Sequence, residues 1–324
     1  MDARGLKKRI QWMDALRGIA IVLVIVFHAV SMTAGEGDWV PPWAMQINLF
    51  FLPYRMPILM FLSGLLLTSS LRKSTFQYYG GKVRLLVWPY IVWTAVYILV
   101  VGTEYSIYQP SAWLPHGNYL WFLAYITAYY FVAPLIKRVP VWILPIALLV
   151  ASIIVDSGFL YFSSFFFLGH SVSVRRDFFE QVLSSRWVPV GGLVACGFGI
   201  FAMFVDVEHV GQYAPLSVVG IVSAIWLVRR IENYRFVEPL GFLGRKSLIF
   251  YVSHVPVISI CLEIGRSIGI NNSAVLIPLC ISIAVLCGYV LSLAASTMVG
   301  RWLFEMPHIG HLLRRKKSDS TSKM

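Results

Sequence analysis

Ten apolar runs, separated by short polar stretches, set the pattern of this chain. Read as helices, they fall at 14–34, 48–70, 84–103, 119–136, 141–156, 158–170, 189–206, 212–229, 247–265 and 274–300. A helix of about 20 apolar residues rises far enough to cross a hydrocarbon core of about 30 Å. Runs 141–156 and 158–170 are short and are joined by Asp156-Ser157-Gly158. They read either as two spans or as one broken, re-entrant element. The pattern therefore predicts an all-α polytopic membrane protein of about ten transmembrane helices.

Composition agrees with the pattern. Of 324 residues, 58% are hydrophobic and only 13% charged, about half the charged share of a soluble domain. The net charge of +12 raises the question of nucleic acid, but the basic residues sit in short clusters between the apolar runs. That distribution is expected of loops facing anionic lipid, so lipid rather than nucleic acid is the expected partner. With the N-terminus inside, the cytoplasmic segments carry 24 of the 27 Lys and Arg residues, and the outer loops carry only Arg266. The positive-inside rule thus predicts that both termini are cytoplasmic. Residues 1–310 read as one transmembrane domain and 311–324 as a basic, disordered cytoplasmic tail. Lys7, Lys8 and Arg9 precede the first run as in a signal peptide, but Asp14, Arg17 and His28 in or beside it favour a retained span.

The candidate chemistry is concentrated in the first two runs. Arg17 and His28 lie in MDALRGIAIVLVIVFHAV with ten residues between them. Eleven steps of 100° bring them within about 20° of one helix face, roughly 16 Å apart. Ionisable groups inside a span cost about 2.5–3.5 kcal/mol on insertion scales and are usually kept for a function. Arg17 either clamps a ligand or snorkels to headgroups and pairs with Asp14, which also suits a helix N-cap. His28 lies too deep to snorkel, and reads either as a site residue or as a neutral imidazole bonded to a neighbouring helix. Arg55, in NLFFLPYRMPILMFLSGLLL, reaches the same depth as His28 when the second helix runs inward. Ser63 and Gly64, with Pro57, break that helix pattern and admit either a ligand or a neighbouring helix. His254 in SLIFYVSHVPVI is either a satisfied polar group or a second site residue. His116, near Trp121, is a candidate for contact with an acceptor, and the Trp and Tyr residues of the outer loops serve as interfacial anchors or line a sugar site. His170, His209, His308 and His311 carry no hypothesis. The four cysteines lie in apolar runs without CxxC spacing, so neither disulfide nor metal site is expected. No GxSxG, P-loop or GxGxxG occurs, which excludes the common hydrolase, nucleotidase and dinucleotide classes.

On these strings the sequence resembles the membrane-bound acyltransferase-3 family, which includes surface-polysaccharide O-acetyltransferases and fucose-4-O-acetylase-like proteins. The family's Arg, ten residues, then His in the first span is matched by Arg17 and His28. MPILMFLSGLLL is similar to its second-span segment. LWFLAYITAYYFVAPLI, SLIFYVSHVPVI and RWLFEMPHIGHLL are similar to its later spans and terminal segment.

The resemblance implies an O-acyltransferase of a bacterial plasma membrane, moving an acyl group, acetyl by family default, from acyl-CoA to a carbohydrate or lipid-linked saccharide. It implies no permanently bound cofactor; acyl-CoA is the donor substrate. Within that reading Arg17 holds the donor phosphates, Ser63 and Gly64 border the donor, and His28 acts as general base or acyl carrier. Arg55 meets the oxyanion, and His116, Trp121 and His254 contact the acceptor. The competing class is a transporter or flippase for a lipid-linked sugar or small polyol, in which embedded cations and broken helices are equally expected. Against it, no second half of the chain resembles the first.

Overall fold

The computed structural model describes residues 11–35, 37–101, 109–115, 118–136 and 138–307. The expected tail and His116 lie outside them. The described residues form an all-helical bundle without strands. In chain order the helices are α1 (Gln11–Gly35), α2 (Pro42–Leu65), α3 (Leu67–Leu71), α4 (Thr75–Lys82), α5 (Trp88–Val101), α6 (Trp121–Val132), α7 (Ile143–Val155) and α8 (Gly158–Val174). They continue with α9 (Arg176–Ser184), α10 (Val188–Phe201), α11 (Ala214–Ile231), α12 (Glu238–Arg245), α13 (Ser247–Ser267), α14 (Ser273–Ala294) and α15 (Met298–Arg301). A π-helical turn, Val83–Val87, joins α4 to α5.

Each of the ten apolar runs contains a helix, but their lengths do not support ten full spans. Six helical segments among the described residues are long and apolar enough to cross a membrane: Gln11–Gly35, Pro42–Leu71, Thr75–Val101, Gly211–Ile231, Ser247–Ser267 and Ser273–Ala294. The pair α9 and α10, bent by 84°, makes up to seven. At 1.5 Å per residue the 12 residues of α6 reach only about 18 Å. Apolar composition continues past its end, but Pro134 follows two residues later and has no N–H to offer the Tyr130 carbonyl. Segments 141–156 and 158–170 are two helices, α7 and α8, which turn at Asp156 (φ 49°) and pack on each other.

α1 sits at the centre, packed against α2, α11, α12, α13 and α14. Its crossing with α12 brings backbones together: a Cβ on Gly244 would stand 1.7 Å from the carbonyl oxygen of Asp14. α1 is already helical from Gln11, so Asp14 is not the N-cap expected of it. It lies buried within the first turn of α1. The surface of the bundle is itself apolar. Leu99, Ile154 and Leu193 are 75, 77 and 73% exposed, a pattern suited to lipid contact rather than water. The protein is a multi-pass integral membrane protein.

The bundle has two chemically distinct ends. One carries Arg72, Lys73, Arg175, Arg176, Arg229, Arg230, Arg245 and Arg301, and the other carries Asp38, Asp156, Asp206 and Glu208. Arg84 pairs with Glu305 at the basic end (3.3 Å), and Arg266 pairs with Asp38 at the acidic end (2.6 Å).

Candidate active site

Two cavities lie on either side of Tyr251, a buried residue of α13 that borders both. The cavity nearer the basic end measures about 240 Å³ and is lined by Arg17, Ser63, Lys73, Lys82 and Tyr130, among others. The cavity nearer the acidic end measures about 180 Å³ and contains His28, Arg55, Trp121, Glu208 and His209 in its wall. Because α1 is unbroken from Gln11 to Gly35, it delivers Arg17 to the first cavity and His28 to the second.

His28 is held by two contacts on one ring nitrogen. Its Nδ1 lies 3.0 Å from the carbonyl oxygen of Val24, one turn earlier, and 3.2 Å from Nε2 of His254. Nδ1 of His254 in turn lies 2.6 Å from the carbonyl oxygen of Tyr251. A carbonyl only accepts, so in the neutral pair Nδ1 of His254 carries its proton and Nε2 presents a lone pair. That lone pair accepts from Nδ1–H of His28, which donates to Val24 at the same time. The proton of His28 is thereby fixed on Nδ1, and Nε2, the other ring nitrogen, is left as the basic atom. The two rings meet edge to face, with centroids 4.7 Å apart.

α13, which contains Pro256 two residues beyond His254, is pinned to the loop before α6 by paired bonds. Tyr251 Oη donates to the Tyr119 carbonyl (2.9 Å), and Tyr119 Oη donates to that of Val252. His254 is fully buried and lines neither cavity. Its partner is His28, through which it touches the cavity only indirectly.

Arg55 stands beside this pair. It is 4% exposed, its guanidinium lies 4.0 Å from the centroid of the Phe27 ring, and Nη1 has no hydrogen-bond partner among the described residues. The Phe27 ring face offsets part of the cost of burying the cation, but an unbonded N–H at the wall of a cavity is a donor left for something else. Pro53 and Pro57 of α2 also line this cavity, and Pro57 has no N–H to offer the carbonyl of Pro53. Arg55 and His28 thus share one cavity wall, as their equal depth in the sequence suggests.

In the other cavity Arg17 Nη2 lies 3.5 Å from the Leu62 carbonyl oxygen. Lys82, unremarked in the sequence, is the more informative residue. Its Nζ lies 3.2 Å from the centroid of the Tyr130 ring and 3.4 Å from Ser70 Oγ, directly before the π-helical turn. Such turns frequently mark functional positions. Ser63 lines this cavity, and its carbonyl accepts from Tyr130 Oη at 2.8 Å. Gly64 does not line it. A Cβ there would stand 1.8 Å from the Phe166 carbonyl oxygen, so Gly64 serves the contact between α2 and α8, as does Gly169 from the other side. Of the two readings open for Gly64, the structure shows the neighbouring helix.

Trp121 lines the His28 cavity and packs on Phe162, with ring centroids 5.0 Å apart. Glu208 and His209 join it from the loop between α10 and α11. Their only signal in the chain is an acidic residue beside a histidine in a loop at the acidic end.

Comparison with known proteins adds one finding. The family model described as an acyltransferase domain, that of the acyltransferase-3 group, matches residues 10–293. No curated protein sequence and no solved structure gives a significant match.

Proposed function

The chain belongs to the acyltransferase-3 family, and from that premise we propose that it is an integral-membrane O-acyltransferase carrying an acyl group, acetyl by default, from acyl-CoA to a carbohydrate hydroxyl. The observation that carries the reading is the His28–His254 contact, which leaves Nε2 as the basic atom of a ring that lines one cavity together with Arg55, whose Nη1 has no hydrogen-bond partner among the described residues.

In this reading the basic end faces the cytoplasm of a bacterial plasma membrane, consistent with the positive-inside rule. Arg17, Lys73 and Lys82 receive the phosphates of the donor as charge-assisted partners. The extended pantetheine arm passes Ser63 and Tyr251 and brings the thioester carbonyl to His28. Nε2 of His28 removes the proton of the acceptor hydroxyl as its oxygen attacks that carbonyl. The negative charge that develops on the carbonyl oxygen is met by Arg55. Collapse of the tetrahedral intermediate breaks the C–S bond. The departing CoA thiolate takes the proton from His28, and an O-acyl ester and free CoA remain. His254 acts through His28 as a positioning residue, in the manner of the acid that orients a catalytic histidine.

The same Nε2 is placed to carry the acyl group covalently before passing it on. A labelled acyl-enzyme that survives denaturation separates the two routes.

The reading is tested in the cell by deleting the gene and restoring it with wild type or with His28→Ala. Ester-linked acyl groups on the purified surface polysaccharide should disappear and return only with wild type. Unchanged acylation with an altered amount of exported polymer would favour a flippase instead.

A further inference from the structure

The loop between α10 and α11 holds an uncommon backbone. His209 has φ 58°, in the left-handed region that a residue with a side chain seldom occupies. Backbones of this kind cluster at binding sites, where the surroundings hold them in place. Here the surroundings are the start of α8. The His209 ring meets Phe162 edge to face at 4.9 Å, and its Nδ1 lies 3.4 Å from where a Cβ on Gly158 would be. The imidazole is thus seated on the first turns of α8, against Phe162 and, at 6.0 Å between centroids, Tyr161. The preceding residue is held as well: Glu208 N–H donates to Asp206 Oδ1 at 2.9 Å, and the Glu208 carboxylate lies 3.8 Å from His209 Nε2.

Both residues line the His28 cavity, and they differ from its other polar groups in depth. The Glu208 and His209 side chains are 57 and 38% exposed, whereas Arg55 is 4% exposed with Nη1 unbonded. The cavity therefore has a carboxylate and an imidazole at its mouth, aromatic walls, and an unpartnered donor beside the base at its floor. At about 180 Å³ it lies below the range of about 300–1,000 Å³ usual for larger ligands, so one ring of the acceptor fills it and the rest of any longer glycan stays outside the mouth.

We propose that Glu208 and His209 select the acceptor, and that the acceptor is a neutral polyhydroxylated ring, a pyranose or cyclic polyol, entering from the acidic end. Vicinal hydroxyls of such a ring donate to the two oxygens of the Glu208 carboxylate, and the His209 ring bonds a third. The apolar face of the ring lies against Trp121. A ring carrying its own carboxylate meets Glu208 first and is disfavoured by like charge. This selection rests on the acyl-transfer reading above, because it assigns the acceptor to the cavity of His28.

The test uses the full-length protein in lipid nanodiscs, with acetyl-CoA as donor and paired acceptors, methyl hexopyranosides and the matching hexuronosides. Wild type should favour the neutral glycosides. Glu208→Gln should raise their KM about tenfold, the effect of losing one charge-assisted hydrogen bond, and narrow the preference over the uronosides. Glu208→Asp should retain part of it, and the KM for acetyl-CoA should not move. His209→Gly, which keeps the left-handed backbone accessible, should also raise acceptor KM. Acceptor KM and preference within about twofold of wild type in both variants would overturn the selection and leave the acyl-transfer reading standing. A parallel rise in the KM for acetyl-CoA would overturn it too, as a general loss of structure. Wild type that releases CoA but esterifies neither acceptor class contradicts the selection alone. Wild type that releases no CoA at all removes the acyl-transfer reading with it.

Discussion

Nε2 of His254 lies 3.2 Å from Nδ1 of His28 although 226 residues separate them in the chain. Because His254 Nδ1 is committed to the Tyr251 carbonyl, this contact, together with the Val24 carbonyl, holds the proton of His28 on Nδ1 and fixes the orientation of its ring. His254→Ala should lower kcat for acyl transfer by about ten- to hundredfold, as removal of an orienting partner does elsewhere. The KM for acyl-CoA should stay unchanged. His254→Gln, whose amide oxygen can accept from Nδ1–H, should recover part of the loss. Steady-state kinetics of the purified variants check this, and equal damage in both variants would argue against orientation.

The contact also shows where the sequence stopped being informative. Helical periodicity puts Arg17 and His28 on one face and Arg55 at the depth of His28, because both inferences need only a rise and a turn per residue. The meeting of His28 and His254 depends on how α1 crosses α13, which no local pattern encodes. Glu208 and His209 reach their places through a loop that packs on Phe162 of α8, a tertiary contact, so their sequence context is that of any polar connection. Helix ends were similarly hidden. The apolar run continues through Ala133, but Pro134 and the next turn stop α6 well short of a full span.

Arg55 should separate activity from stability. It is buried with Nη1 unbonded among the described residues, so its cost to the fold is only partly offset by Phe27. Arg55→Met should reduce kcat by about 10²–10³-fold, the usual effect of removing an oxyanion donor. The same change should leave the protein as stable or up to about 3 kcal/mol more stable, since it removes an unsatisfied buried group. Thermal unfolding in detergent alongside the transfer assay reads both. A variant that is both inactive and strongly destabilised would mean that Arg55 holds the fold.

Lys82 should act on the donor alone. Its ammonium borders the Arg17 cavity above the Tyr130 ring. Lys82→Ala should raise the KM for acyl-CoA about tenfold, the loss of one charge-assisted contact, while kcat changes little. Loss of kcat at unchanged donor KM would place Lys82 outside the donor path.

Gly64→Ala should behave as a packing variant. The new Cβ would stand 1.8 Å from the Phe166 carbonyl oxygen, so α2 and α8 must separate, at a cost of about 1–3 kcal/mol. Reduced thermal stability with an unchanged donor KM in the folded fraction is expected. Donor KM raised at full stability would instead place Gly64 at the bound donor.

The most direct test of the central claim is acyl transfer by purified wild type and His28→Ala in nanodiscs, with labelled acetyl-CoA and a neutral glycoside acceptor. Wild type should form labelled ester and release CoA in equal amounts. His28→Ala, matched for thermal stability, should form ester at no more than about 10⁻³ of that rate, given the contribution of general acid–base catalysis. Ester formation by His28→Ala at the wild-type rate would contradict the assignment of His28 and the mechanism built on it.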